Sequence, residues 1–259
     1  MKDKTYAYSA SLERLAQRYW AAEADVVRAY FKKPRSKKRH LSWLRAQAFK
    51  EHSAIKPLLE ALVKLYPYMN QGEDRHQYEE LIEKLADETK HARLIMDLIE
   101  EVTGKKVTPK DLLWLPEDKK LAKVRGRYSK TYAGLLHGSE KPTTSEIRRK
   151  DEDLERATIT LTEGGGGALY QVCRHINGSK LERKIAAAFK VIYRDEMKHK
   201  NAGSHALPKL IHDGSDYERA AKIIRTVLAQ RLRMRNEQFG FPLAKRRMQK
   251  ILAMLDRSI

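Results

Sequence analysis

The sequence predicts an all-α protein, a four-helix bundle with a long crossover and additional helices at both ends. Three observations predict it. Apolar residues recur at the three- and four-residue spacing of amphipathic helices in one segment after another. One five-residue motif occurs twice inside such segments, as Asp87-Glu88-Thr89-Lys90-His91 and as Asp195-Glu196-Met197-Lys198-His199. A glutamate precedes each copy by the length of one helical hairpin, Glu51 before Glu88 and Glu163 before Glu196. The midpoints of these two pairs fall at the turn-like sequences Met69-Asn70-Gln71-Gly72 and Asn177-Gly178-Ser179, so each pair is expected at one height in its hairpin.

Residues 9–32 carry Leu12, Leu15, Tyr19, Ala22, Val26 and Tyr30 at helical spacing, and Pro34 within a basic run then breaks the pattern. The first bundle helix is expected from about 41 to 68. Its apolar face holds Trp43, Ala48, Leu58 and Leu62, and this face takes in Glu51 while Glu60 falls on a polar stripe with Ser53, Lys56 and Lys64. Pro57 is expected to kink this helix. The second helix is expected from about 74 to 103, with Asp74 as N-cap, Gly104 as stop, and Glu88 on the stripe of Leu81, Leu85, Ala92, Ile95 and Ile99. Residues 104–150 read as the crossover. Two further bundle helices are expected over about 150–176 and 179–206, then flanking helices over about 216–239 and 243–256. The whole of 1–259 is expected to be one domain whose core bundle covers about 39–206.

The chemistry lies in the repeated motif. Glu and His three residues apart share a helix face, so Glu88 with His91 and Glu196 with His199 can each grip one metal ion. Adding Glu51 and Glu163 gives one Glu from each of two helices and a Glu-x-x-His from each of two others. Four carboxylates balance the charge of two divalent ions. A carboxylate set among core leucines would be costly without such a partner.

This ligand pattern resembles the ferritin-like di-metal carboxylate superfamily of ferritins, rubrerythrins and di-iron oxygenases, over roughly residues 39–205. The resemblance implies two iron ions, with manganese or a mixed manganese–iron pair as alternatives, held by Glu51, Glu88, His91, Glu163, Glu196 and His199. Asp87 and Asp195 are similar to the aspartates of the Asp-Glu-x-Arg-His motif of di-iron monooxygenases, where each accepts a hydrogen bond from a ligand histidine. Lys90 and Lys198 stand where that motif has Arg. Tyr170, seven residues after Glu163, matches a Glu-x6-Tyr pattern of ferritin-like helices; its hydroxyl is expected on a ligand carboxylate or in redox chemistry.

Gly164-Gly165-Gly166-Gly167 follows Glu163 directly. Each Gly costs about 0.5–1 kcal/mol against Ala in a helix, so the run needs a reason. Gly164, Gly166 and Gly167 are expected to leave a substrate or dioxygen pocket beside the metals; close helix packing or a helix break is the alternative.

Composition bounds the rest. The 53 basic against 34 acidic residues leave a net charge of +19, which favours anionic partners such as a carrier protein, nucleic acid or a membrane surface. The single Cys173 excludes an intrachain disulfide and a cysteine zinc site, and suits a reducing cytoplasm. No apolar run reaches membrane-spanning length. The expected function is that of an O2-activating di-iron oxidoreductase on a small organic substrate, with an electron donor and possible homodimer formation. An iron-handling or peroxide-scavenging protein, and a basic nucleic-acid-binding bundle, are the alternative classes.

Overall fold

The structure, a computed structural model, describes residues 2–67, 75–128 and 150–257, with side chains for all of these except 2–5, 77, 150–153, 165–166 and 198–206. It is all-α, and the described residues contain no strand. Among the described residues nine α-helices follow in order: α1 (Lys2–Phe31), α2 (Lys37–Leu65), α3 (Arg75–Thr103), α4 (Pro116–Tyr128), α5 (Lys150–Glu163), α6 (Gly165–Cys173), α7 (Lys180–Leu210), α8 (Gly214–Gln238) and α9 (Lys245–Arg257). None of them is long and apolar enough to cross a membrane.

Local sequence chemistry sets the ends. Ser36 caps α2 by accepting from the Arg39 amide, and Ser179 with Glu182 forms a reciprocal capping box at the start of α7. Asp213 caps α8 through the Ser215 and Asp216 amides. Gly104 ends α3 at φ +68, a conformation that favours glycine. The expected N-cap Asp74 lies outside the described residues. α2 runs through Pro57 as one helix.

The third expected bundle helix is two helices. It breaks at Gly164, so α5 and α6 replace the continuous span over 150–176. The crossover also has structure of its own: α4 packs on α8 and on α5, with Lys50 of α2 paired to Asp118 at 3.0 Å.

α2 pairs with α3, α7 lies against α5, α6 and α3, and α1 packs along α6 and α8. Two apolar clusters result. One joins Leu12, Ala16 and Tyr19 of α1 to Leu154, Leu161 and the inner face of α8. The other gathers Trp43, Ile95, Ile99, Leu169 and Phe189 from α2, α3, α6 and α7. Such burial, at about 25 cal/mol per Å² of apolar surface, fixes the helices against one another and so fixes the side chains between them.

Candidate metal centre

Three helices bring Glu51 (α2), His91 (α3) and Glu196 (α7) to one point, with one ligand atom from each lying within 4.8 Å of the others. His91 is buried, and its Nδ1 has no hydrogen-bond partner. The nearest carboxylate oxygens, Glu51 Oε2 and Glu196 Oε1, each stand at 3.6 Å. That is too long for a hydrogen bond. It suits a shared cation, since an ion about 2.1 Å from each donor separates them by roughly 3–4.2 Å. A buried polar atom aimed between two carboxylates is therefore the observation that fits a metal here.

The other ring nitrogen is held. Asp195 Oδ2 lies 3.4 Å from His91 Nε2, and the Lys90 ammonium donates to the same carboxylate at 2.6 Å. Asp87 is 3.7 Å from Lys90 and belongs to the same cluster as His91 and Asp195. The aspartate of one motif thus serves the histidine of the other, with Lys90 between the two aspartates. This arrangement leaves Nδ1 as the ligating atom of His91.

Glu51 is held from its other side. Tyr170 donates to Glu51 Oε1 at 2.6 Å, and Gln47 Nε2 donates to the same oxygen at 2.5 Å. Gln47 in turn accepts from Arg235 and Gln238, and Arg235 and Arg231 pair with the buried Glu23 of α1. A polar chain therefore runs from the centre to α1 and α8. Every link is buried, which makes it costly to break at any point.

Charge at the centre is uneven. Burial raises the Glu51 carboxyl, but His91, Tyr170 and Gln47 outweigh it and hold it at about 2. Burial and the charges of Glu51 and Glu196 push Glu88 well above the usual carboxylate range. Burial and Glu51 push Glu196 up to about 7. Burial lowers His91, but the surrounding carboxylates outweigh it and leave the imidazole more basic than usual. Burial and Glu51 push the Tyr170 phenol well above its ordinary value. Carboxyls crowded into one site cannot all ionise, and a divalent cation would relieve this.

Of the six expected ligands, Glu51, His91 and Glu196 come together, and Glu88 lies near enough for its carboxyl to feel Glu51 and Glu196. Glu163 lies close enough for its charge to act on Glu196, but its carboxylate is bound to Lys84 Nζ at 3.2 Å and to the Arg125 guanidinium. Those two cations outweigh burial and hold it well below the usual carboxylate range. Its side chain is partly exposed. His199, with Lys198, lies outside the described side chains. Glu60 points away and reaches Lys56 at 3.6 Å.

The glycine run divides. A Cβ on Gly164 would lie 2.5 Å from Trp20 Cζ2, so here the pocket expectation is corrected: the missing side chain lets the indole of α1 pack on the backbone. A Cβ on Gly167 would meet nothing within 4 Å. Gly166 lies outside the described side chains.

Gln47, Lys84, Arg125 and the Arg231–Arg235 pair are site residues that the sequence reading did not single out. Gln47 stands four residues before Glu51 and Lys84 four before Glu88, so both share a face with a ligand candidate. Arg125 arrives from the crossover and carries no comparable signal. The chain matches no protein-family model, no curated protein and no solved structure.

Proposed function

We propose that this protein is a ferritin-like di-metal carboxylate protein, a four-helix bundle formed by α2, α3, α5–α6 and α7, that acts as an O2-dependent oxidoreductase on an organic substrate. The observation that carries the reading is the buried His91 Nδ1, unpartnered and equidistant from Glu51 and Glu196. Glu51, Glu88, His91 and Glu196 would hold the first ion. Glu163 and His199 would complete the second position, which requires Glu163 to leave Lys84 and Arg125. Bound as a reduced pair, iron would supply electrons to dioxygen.

The chain's own residues have separable tasks. Asp195 and Lys90 hold His91 by Nε2, so that the imidazole presents Nδ1 without rotating. The Tyr170 hydroxyl and the Gln47 amide occupy Glu51 Oε1 and leave Oε2 facing the metal position. Glu88 and Glu196 hold protons in the metal-free centre and release them as ions bind. Lys84 and Arg125 line the solvent-facing side, where they keep Glu163 ionised and would attract an anionic substrate.

One observation favours a second reading, an iron-handling protein. Trp20 fills the space at Gly164, which leaves only Gly167 as described open space in the glycine run. One experiment distinguishes the readings: metal analysis of the protein loaded with ferrous iron, followed by its optical spectrum and oxygen uptake on exposure to air. About two ions per chain and oxygen uptake that rises with an organic reductant-coupled substrate support the oxidoreductase. Two ions with uptake proportional to added iron alone support iron handling. Failure to retain any ion in a folded protein sinks both.

A further inference from the structure

The sequence Lys32-Lys33-Pro34-Arg35-Ser36-Lys37-Lys38-Arg39 joins α1 to α2 and has no part in the metal centre. Lys32, Lys33, Arg35 and Arg39 from this corner, with Arg247 of α9, line a cleft of about 330 Å³ whose other walls include the residues that follow α8. No carboxylate lines it. Among the described residues, Lys32, Lys33, Arg39 and Arg247 are exposed and form no ion pair with a carboxylate. Arg35 is set in place: its Nε donates to the Tyr30 carbonyl at 2.7 Å and its guanidinium lies 4.9 Å from the Tyr30 ring centre. Five cations gathered without a counter-charge repel one another, a local cost that an anionic ligand would reverse. The first turn of α2, which carries no acidic residue, adds cations where the helix dipole favours anions.

A second observation says what kind of anion. Phe241 lines the same cleft, is 62% exposed, and has φ +58. A bulky residue in this region of backbone space is strained, and here the hydrogen bonds that end α8, Phe241 N–H to the Asn236 carbonyl and Gly240 N–H to the Glu237 carbonyl, hold it. The turn therefore holds an aromatic ring in solvent beside five positive charges. Cations that follow a phosphate backbone and a ring on which a base stacks are the two parts of a single-strand binding site. An acidic protein would use the cations but leave the exposed ring without a partner. A membrane surface would need a row of exposed apolar residues, and Phe241 is the one large exposed hydrophobic lining this cleft.

We infer that this cleft is a binding site for single-stranded nucleic acid, with phosphates on Lys32, Lys33, Arg35, Arg39 and Arg247 and a base stacked on Phe241. It is separate from the metal centre. Glu51 lies 15 residues along α2 from the Ser36 cap, or about 22 Å at the rise of an α-helix. The inference therefore stands or falls independently of the reading of that centre.

The test is fluorescence anisotropy of the full chain with a labelled oligouridylate of about 15 nucleotides, with polyphosphate as the base-free competitor. Binding is expected to weaken with salt at a log–log slope near −0.7 per phosphate contacted. Lys33→Glu with Arg247→Glu is expected to weaken it by more than about tenfold and to flatten the slope by roughly 1.4 or more. The exposed and remote pair Lys56→Glu with Lys222→Glu makes the same charge change and is expected to act within about threefold, through the screened general field. Phe241→Ala is expected to weaken oligouridylate at least about fivefold and leave polyphosphate unaffected. Equal effects of the two charge pairs would reduce the cleft to net charge and overturn the site. An oligouridylate affinity indifferent to Phe241→Ala would overturn the base stack. Anionic vesicles or an acidic peptide held more tightly than the oligonucleotide, and released by the same charge pair, would overturn the choice of ligand.

Discussion

The Asp195 carboxylate of the second Asp-Glu-x-Lys-His motif lies 3.4 Å from Nε2 of His91 in the first. The second copy therefore supports the first across α3 and α7, and the first is not a self-contained set. Lys90, at 2.6 Å from Asp195, holds the aspartate in turn. Burial raises the Asp195 carboxyl, but Lys90 and His91 outweigh it and keep it ionised.

Asp195→Asn should keep the fold and lose the charge that orients the imidazole. Metal affinity is expected to fall by about 10–100-fold, as for other partners of metal-ligating histidines. Competition with a chromophoric chelator measures this, with a thermal melt of the metal-free protein alongside. Unchanged affinity would reduce Asp195 to a partner for Lys90 alone.

Glu51 and Glu60 offer a paired control on α2. Glu51→Gln keeps the side chain's size beside Tyr170 and Gln47 but removes a charged ligand, so bound metal should drop below one ion per chain. Glu60→Gln disturbs only a solvent-facing contact with Lys56, an interaction worth about 0–1 kcal/mol, and should leave metal content unchanged. Equal metal content in the two variants would remove Glu51 from the centre.

Which of these glutamates turns inward is legible in the sequence, because Glu51 falls among Trp43, Ala48 and Leu58 at helical spacing and Glu60 among lysines. The paired motifs and the Tyr170 contact are legible for the same reason: each depends on separation along one helix or across one hairpin. The break at Gly164 is legible only as one alternative for the glycine run, because the contact that decides its packing comes from Trp20, on a helix far away in sequence. The Lys84–Glu163–Arg125 contact is hidden for a different reason. A lysine or arginine on a helix reads as solvated, and only the packing of α4 against α5 brings Arg125 to the carboxylate. The Glu23–Arg231–Arg235 group is similarly a product of α1 meeting α8.

Protons should leave as metal enters. In the metal-free protein Glu196 titrates at about 7 against an ordinary value of 4.5, and Glu88 is raised as well. A raised carboxyl contributes stability that is complete below its unfolded value and is lost as pH rises through its folded value. Glu196 therefore makes the metal-free protein less stable between about pH 4.5 and 7 as pH rises, and Glu88 acts in the same direction. His40, whose pKa burial lowers, works in the opposite direction and must be separated by comparison with Glu196→Gln. Adding manganese at pH 6 in weak buffer should release roughly one proton or more per chain. Release that is undiminished in Glu196→Gln would mean that the proton comes from elsewhere.

Gly164 and Gly167 are three residues apart and should respond in opposite ways to the same methyl group. At Gly164 the new Cβ would lie 2.5 Å from Trp20 Cζ2 and 2.8 Å from Cη2, and an indole enclosed by α1 and α6 has little room to retreat. Overpacking of this kind costs about 1–3 kcal/mol, and at the break between α5 and α6 no helix-propensity gain offsets it. Gly164→Ala should therefore be destabilising, and Gly164→Val more so. At Gly167 a Cβ meets nothing within 4 Å, so Gly167→Ala should raise stability by about 0.5–1 kcal/mol. Gly167→Leu then tests what the space is for. A folded variant that binds metal normally but loses oxidation of an organic substrate would assign the space to substrate. Intact metal binding and iron oxidation, with no organic turnover in either protein, would assign the centre to iron handling. Melting temperatures, metal content and oxygen uptake of the four variants separate these outcomes. A Gly167→Ala protein that melts lower than the parent would show that the glycine is needed for packing there too.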